Sequence, residues 1–187
     1  MASASFFNKE QHSSVGEILE KAETLVGGYF QVNMEDLERF PYDLRTLAHL
    51  QRQEKTRRAL AQVCKYEYRK EVHPSDLRRR EFYRICLQDD RILETVQSES
   101  SSLLEPLLLY VVTHELIHII RFSLEPARFY LDPREKKAEE KHVHRMTYEV
   151  LKPFRDPYLG PLLERYRPWR EGSGPTGPVL DKFGWGG

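Results

Sequence analysis

The chain has 187 residues, 29 Lys+Arg balanced by 29 Asp+Glu, 40% hydrophobic residues and two cysteines. That length fits one domain of roughly 100–200 residues, and the balanced charge excludes a surface built throughout for nucleic acid. The composition is that of an ordinary soluble globule, and the longest uncharged apolar run, Leu107 to Val112, falls far short of the roughly 20 residues of a membrane span.

In chain order, Val15, Ile18, Leu19, Ala22, Leu25 and Val26 recur at helical spacing, and Gly27-Gly28 is expected to end that helix. Residues 34–63 read as one or two further helices interrupted near Pro41. Residues 51–84 hold 11 basic and 5 acidic residues, including Arg57, Arg58, Lys65, Arg69, Lys70 and Arg78-Arg79-Arg80. Such a block is a solvated face or a nucleic-acid patch, and nothing aromatic at base-stacking spacing strongly supports the patch. Phe82 to Gln88 and Arg91 to Gln97 are rich in β-forming residues around Asp89-Asp90, which predicts a β-hairpin over 82–97. Cys64 and Cys86 are too few for a disulfide framework and are not a Cys-x-x-Cys pair. The polar start, Met1 to Ser14, carries no apolar signal segment. Together these point to a reducing, cytoplasmic setting.

After the polar break Ser98–Ser102, residues 103–124 form the long helix of the chain, with Pro106 tolerated in its first turn. Residues 107–120 are apolar nearly all round, so this helix should be central and buried. Asp132-Pro133-Arg134-Glu135 is a helix start, with Asp at the cap, Pro at the first position and Glu three residues after the cap. That helix should run to about Leu151, and a short one should follow near Leu159–Tyr166. The boundary of the domain is set at 1–170. Residues 171–187 hold six of the ten glycines and read as a flexible tail. Its Val179, Leu180, Phe183 and Trp185 predict docking on a partner or on the chain's own cleft. No internal repeat is visible.

His114-Glu115-Leu116-Ile117-His118 is H-E-x-x-H inside the central helix. Residues four apart share a helix face, so both imidazoles can hold one Zn²⁺. Glu115 can then act as general base toward water whose pKa the metal lowers. Three polar side chains buried in an apolar helix without such a purpose would be costly. A third ligand must come from elsewhere. The helix 133–151 offers Glu139, Glu140, His142 and His144, and its apolar face centres on Val143 and Thr147. Both glutamates lie within about 60° of that centre, and the two histidines lie near its edges. Glu140 is assigned as ligand, with His144 four residues on as its neighbour near the metal or as a group that meets substrate. Glu139, and His144 itself, remain alternative ligands. A His₂-carboxylate set could also hold iron, manganese or cobalt.

These residues resemble the glutamate-zincin metallopeptidases over about residues 82–151. The resemblance rests on the H-E-x-x-H at 114–118, on a second helix with Glu140 about twenty residues later, and on a hairpin just before the first helix. It implies an α+β fold, mostly helical, with a small antiparallel sheet or hairpin beside the central helix. It also implies His114, His118 and Glu140 as zinc ligands, Glu115 as base, and a sheet edge at 82–97 where extended substrate adds as a strand. The segment around Glu140 departs from the Asn-Glu-x-x-x-Asp pattern of thermolysin-like enzymes. Tyr130, His142, Arg145 and Tyr148 are merely near in sequence as oxyanion stabilisers. The expected function is a zinc-dependent intracellular peptidase acting on a specific protein or peptide, with no membrane partner and nucleic acid disfavoured. The alternative is a zincin-fold binding or regulatory module that holds metal without cleaving.

Overall fold

The computed structural model describes residues 5–32, 41–69, 79–98, 100–125 and 129–173. It is an α+β fold, mostly helical, with one three-stranded sheet. Helix α1 spans Lys9–Phe30. Asn8 caps it, accepting from the Gln11 amide at 2.9 Å while Gln11 returns a bond to the Asn8 amide at 2.9 Å. The helix runs through Gly27-Gly28 instead of stopping there. It ends at Gln31 in the left-handed region, φ 56. The reason for Gly27 is close approach: a Cβ there would sit 3.1 Å from the Val32 carbonyl oxygen as the chain turns back.

The helices expected over 34–63 are not present among the described residues; 33–40 lie outside them. Strand β1 spans Tyr42–Arg45, short 3-10 turns follow at Leu47–His49 and Arg52–Glu54, and strand β2 spans Ala61–Arg69. Alternation was hidden in β2 because both its faces are covered. Ala61 and Val63 enter the main core, while Gln62 and Cys64 are buried on the other side. A strand buried on both faces loses the polar/apolar alternation that marks a half-exposed one.

The hairpin at 82–97 is also corrected. Strand β3 spans Arg79–Leu87, and helix α2 spans Asp89–Gln97. Asp89 is a hub and not a turn residue: its carboxylate accepts the amides of Leu47 at 2.9 Å and Phe7 at 3.1 Å. Ile92, Leu93 and Val96 are buried at helical spacing. The partner of β3 in a hairpin arrangement is β2, antiparallel, while β1 pairs with β3 in parallel. The order is β1-β3-β2, so the sheet is mixed and β3 is its central strand. The expected substrate edge at 82–87 therefore has both sides taken.

One face of the sheet packs with α1 and with helix α3, Leu104–Leu124. Helix α4, Pro133–Leu151, closes that core. Asp132 caps α4 as its sequence requires, accepting from the Arg134 and Glu135 amides at 2.8 and 2.9 Å. Helices α5, Leu159–Arg165, and α6, Arg167–Glu171, complete it; residues 174–187, which carry the predicted docking tail, lie outside the described residues. The segment Ser101–Leu124 is long and apolar enough to cross a membrane by length and composition, but 83% of its apolar window is buried in the fold.

The sheet's other face carries a smaller core of Leu47, Leu50, Cys64 and Cys86. A polar network closes it. Arg84 donates to Asp43 through Nε at 2.6 Å and Nη2 at 2.8 Å, and to Glu54 through Nη1 at 2.9 Å. Gln62 and Gln88 both donate to the Glu54 carbonyl at 2.9 Å. Two cations of the basic block are thus used internally, Arg84 here and Lys65 in a 2.7 Å pair with Glu81.

Candidate metal centre

Helix α3 carries Tyr110, His114, His118 and Phe122 at steps of four, so they form one stripe down one face. The stripe faces α4. His114 Nε2 and His118 Nε2 lie 3.1 Å apart. The Glu140 carboxylate spans both, with Oε2 3.3 Å from His114 Nε2 and Oε1 3.2 Å from His118 Nε2. Ligands at about 2.0–2.1 Å from a tetrahedral ion stand about 3.3 Å from one another. Each of the three separations is near that spacing, the carboxylate turning one oxygen to each imidazole, and one donor atom from each residue falls within 4.8 Å of the others; a His₂-carboxylate donor set leaves a fourth position open. His114 is 0% and His118 1% exposed.

The two imidazoles are shifted in opposite directions. Burial holds the His114 imidazole below its ordinary pKa, which leaves it neutral, as a ligand must be. Burial also pushes His118 down, but the Glu140 carboxylate outweighs it and the net shift is upward. Burial pushes Glu140 up, and the two imidazoles, His118 foremost, more than offset this, so it stays well below the usual carboxylate range. Without an ion, the charge of Glu140 is thus answered by His118.

A supporting layer surrounds the triangle. The Thr147 hydroxyl donates to the Val143 carbonyl at 2.8 Å, so toward His114 Nδ1, 3.5 Å away, it can only accept. In the tautomer a ligand needs, with the His114 proton on Nδ1, that hydroxyl would accept it and the Nε2 lone pair would be offered to an ion. Tyr110 bonds His144 Nδ1 at 2.7 Å and stacks on Tyr166 with ring centroids 4.3 Å apart. Phe122 stacks beside His118 at 5.3 Å.

The structure brings His114, His118 and Glu140 together. Glu139 is one residue away but elsewhere: it is buried in a two-pronged pair with Arg121, Nε–Oε1 2.5 Å and Nη2–Oε2 2.8 Å. His144 lies beside His114, ring centroids 4.5 Å apart, and is bonded to Tyr110 instead of joining the triangle. Burial drives its pKa well below the ordinary value. Glu115 is 2% exposed and acts electrostatically on His118. His142 is exposed. Arg145 and Tyr148 line a surface hollow with Lys141 and Arg170, and the Tyr130 ring lies under the Lys65 ammonium. Sequence reasoning missed Thr147, Tyr110, Phe122 and Arg121 as supports. The step-of-four stripe through the two histidines was the available signal for Tyr110 and Phe122.

No protein-family model, curated protein or solved structure matches the chain.

Proposed function

We propose that the chain is a zinc-dependent peptidase that acts on a specific protein or peptide substrate. The observation that carries this reading is the donor triangle of His114, His118 and Glu140, set on the two helices that an H-E-x-x-H enzyme requires, with Glu115 between the two histidines. When bound, a divalent ion there would act as a Lewis acid and lower the pKa of water toward neutrality. The rest is the work of the chain. His114 and His118 offer nitrogen lone pairs, Glu140 offers charge, and Thr147 orients His114. Glu115 takes a proton from water and returns it to the leaving amine. The buried thiols Cys64 and Cys86, unpaired in the fold, accord with a reducing cytoplasmic setting as part of this proposal.

The burial of Glu115 favours one second reading, a regulatory module that holds metal for shape and binds a partner without cleaving it. One pair of measurements separates the two. Purified protein should carry close to one equivalent of zinc by mass spectrometry. A Glu115→Gln variant should keep that zinc while losing all hydrolysis of protein substrates in a lysate. Zinc retained with no hydrolysis by the wild type, and cellular function unchanged in Glu115→Gln, would select the module. Absence of bound metal after zinc loading would end both readings.

A further inference from the structure

Strand β1 is the sheet edge opposite β2. The Tyr83 amide donates to the Pro41 carbonyl at 3.0 Å, which sets the phase of the parallel register running from Tyr42↔Tyr83 to Arg45↔Cys86. In a parallel ladder, alternate residues turn their amide and carbonyl toward the partner strand. Pro41, Asp43 and Arg45 therefore face β3, and the backbone groups of Tyr42 and Leu44 face outward. Among the described residues no backbone group pairs with those two on the outer side.

A cavity of about 430 Å³ lies between α1 and the C-terminal end of β1. Leu44 and Arg45 both line it. Of the two residues whose backbone groups face outward, Leu44 lines it, and the lining continues past the end of the strand to Thr46 and His49. Two lining residues carry chemistry the fold does not use. Thr46 is 5% exposed and its hydroxyl is buried with no hydrogen-bond partner among the described residues. Gly16 sits in mid-helix, where glycine is a poor residue, yet a Cβ there would meet nothing within 4 Å. Gly16 therefore leaves that part of the cavity wall open. His12, Arg45 and His49 line the cavity and no carboxylate does, although Arg45 Nε also pairs with Asp43 beside it at 3.1 Å. The nearby carboxylate of Asp89 is held inside by the Phe7 and Leu47 amides.

We propose that β1 and α1 form a docking groove for an extended peptide segment with apolar and acidic side chains. Its backbone adds to the outward groups of Tyr42 and Leu44 as a further strand. An apolar side chain enters over Gly16 against Leu19 and Leu44, and a carboxylate meets the rim of His12, Arg45 and His49. The groove shares no lining residue with the metal cluster, so it stands or falls independently of the peptidase reading.

The test uses the full chain, labelled with ¹⁵N, and two probes: the amidated peptide acetyl-Thr-Val-Thr-Leu-Thr-Glu and its counterpart with Gln in the last place. Amide signals of Tyr42–Thr46 and of residues 12–19 should shift saturably. The Gln peptide should bind about fivefold more weakly, as expected for one partly exposed ion pair. Gly16→Leu, which fills the opening with a good helix former, should abolish binding with an unchanged or raised thermal midpoint. Thr46→Val provides a second variant that weakens binding if Gly16→Leu does not fold. A Glu140→Gln variant should bind like wild type. No saturable shift at Tyr42–Thr46 up to millimolar peptide overturns the proposal. So does equal binding of the two peptides, or full binding by Gly16→Leu. Sodium glutarate reproducing the peptide's shifts at equal concentration would show a small-carboxylate pocket and likewise overturn it.

Discussion

Replacing Arg121 by Met isolates the buried pair that joins α3 to α4 beside the metal cluster. Met keeps most of the apolar stem and removes the guanidinium, leaving the Glu139 carboxylate, whose side chain is 3% exposed, without its cation. Breaking a buried pair in this way costs about 3–5 kcal/mol. The penalty has a ceiling, because the carboxyl can protonate instead of remaining charged. From an unfolded pKa of about 4.3, neutralising a glutamate costs at most about 3.7 kcal/mol at pH 7 and about 1 kcal/mol at pH 5. Losing the cation disfavours only the charged form of the carboxyl, so the penalty is absent below the unfolded pKa and grows as pH rises. Arg121→Met should therefore lose about 3–4 kcal/mol at pH 7, or roughly 6–16 °C in midpoint for a chain of this length, and about 1 kcal/mol at pH 5.

The converse variant behaves differently. In Glu139→Gln the partly buried guanidinium cannot lose its proton, so its penalty should be the same at both pH values. The double variant Arg121→Met with Glu139→Leu removes both charges and should fall within about 1 kcal/mol of wild type or above it. Urea unfolding at pH 5 and pH 7, each variant referenced to wild type at the same pH, reads all three. A loss for Arg121→Met that is equal at the two pH values would show that packing and not charge holds the helices. A loss under 1 kcal/mol at pH 7 would refute the buried pair altogether.

Thr147→Val should lower zinc affinity about 10–100-fold, as removal of a ligand's supporting hydrogen bond does, with Thr147→Ser near wild type in chelator competition. Cys86 sits 3.7 Å from Cys64. That neighbour and burial push its thiol pKa far up, so iodoacetamide should label neither cysteine until urea unfolds the chain. Burial pushes Glu54 up, but bonds from Tyr66, the Gln51 amide and Arg84 more than offset it, and the net shift is downward. Its contribution is present above the unfolded pKa and lost as pH falls through the folded one, so Glu54→Gln should flatten the stability profile below about pH 4.

The parts of the fold legible in the sequence were those written in local chemistry. The Asp132 cap with Pro133 and Glu135 marks the start of α4, and the apolar run around His114 marks α3, because caps and helical periodicity need no knowledge of distant partners. The sheet was misread for the opposite reason. Asp89-Asp90 looks like a turn until the Leu47 and Phe7 amides arrive from 42 and 82 residues away. The spacing of Ile92, Leu93 and Val96 was the local clue to a helix, and strand-forming composition outweighed it. Residues 61–66 lack alternation because a second small core, formed by Leu47 and Leu50, covers their other face, and nothing in the strand itself announces that cover.

Glu139 and Glu140 show where helix arithmetic ends and what would extend it. Both lie on the buried side of α4, as their angular positions require, and a rotation of 100° separates them. Each meets a different demand on α3, the histidine pair or Arg121, and the arithmetic of α4 alone does not say which. The order of contacts does. Tyr110 meets His144, the histidines meet Glu140, and Arg121 meets Glu139, so partners rise along α3 as they fall along α4. Given that opposed order, the carboxylate nearer the start of α4 must answer the cation farther along α3, and Glu140 is left for the two imidazoles. A partly buried arginine three residues past the second histidine was thus the deciding residue. It removes Glu139 from the set of ligands by needing a carboxylate of its own, which the H-E-x-x-H spacing could not reveal.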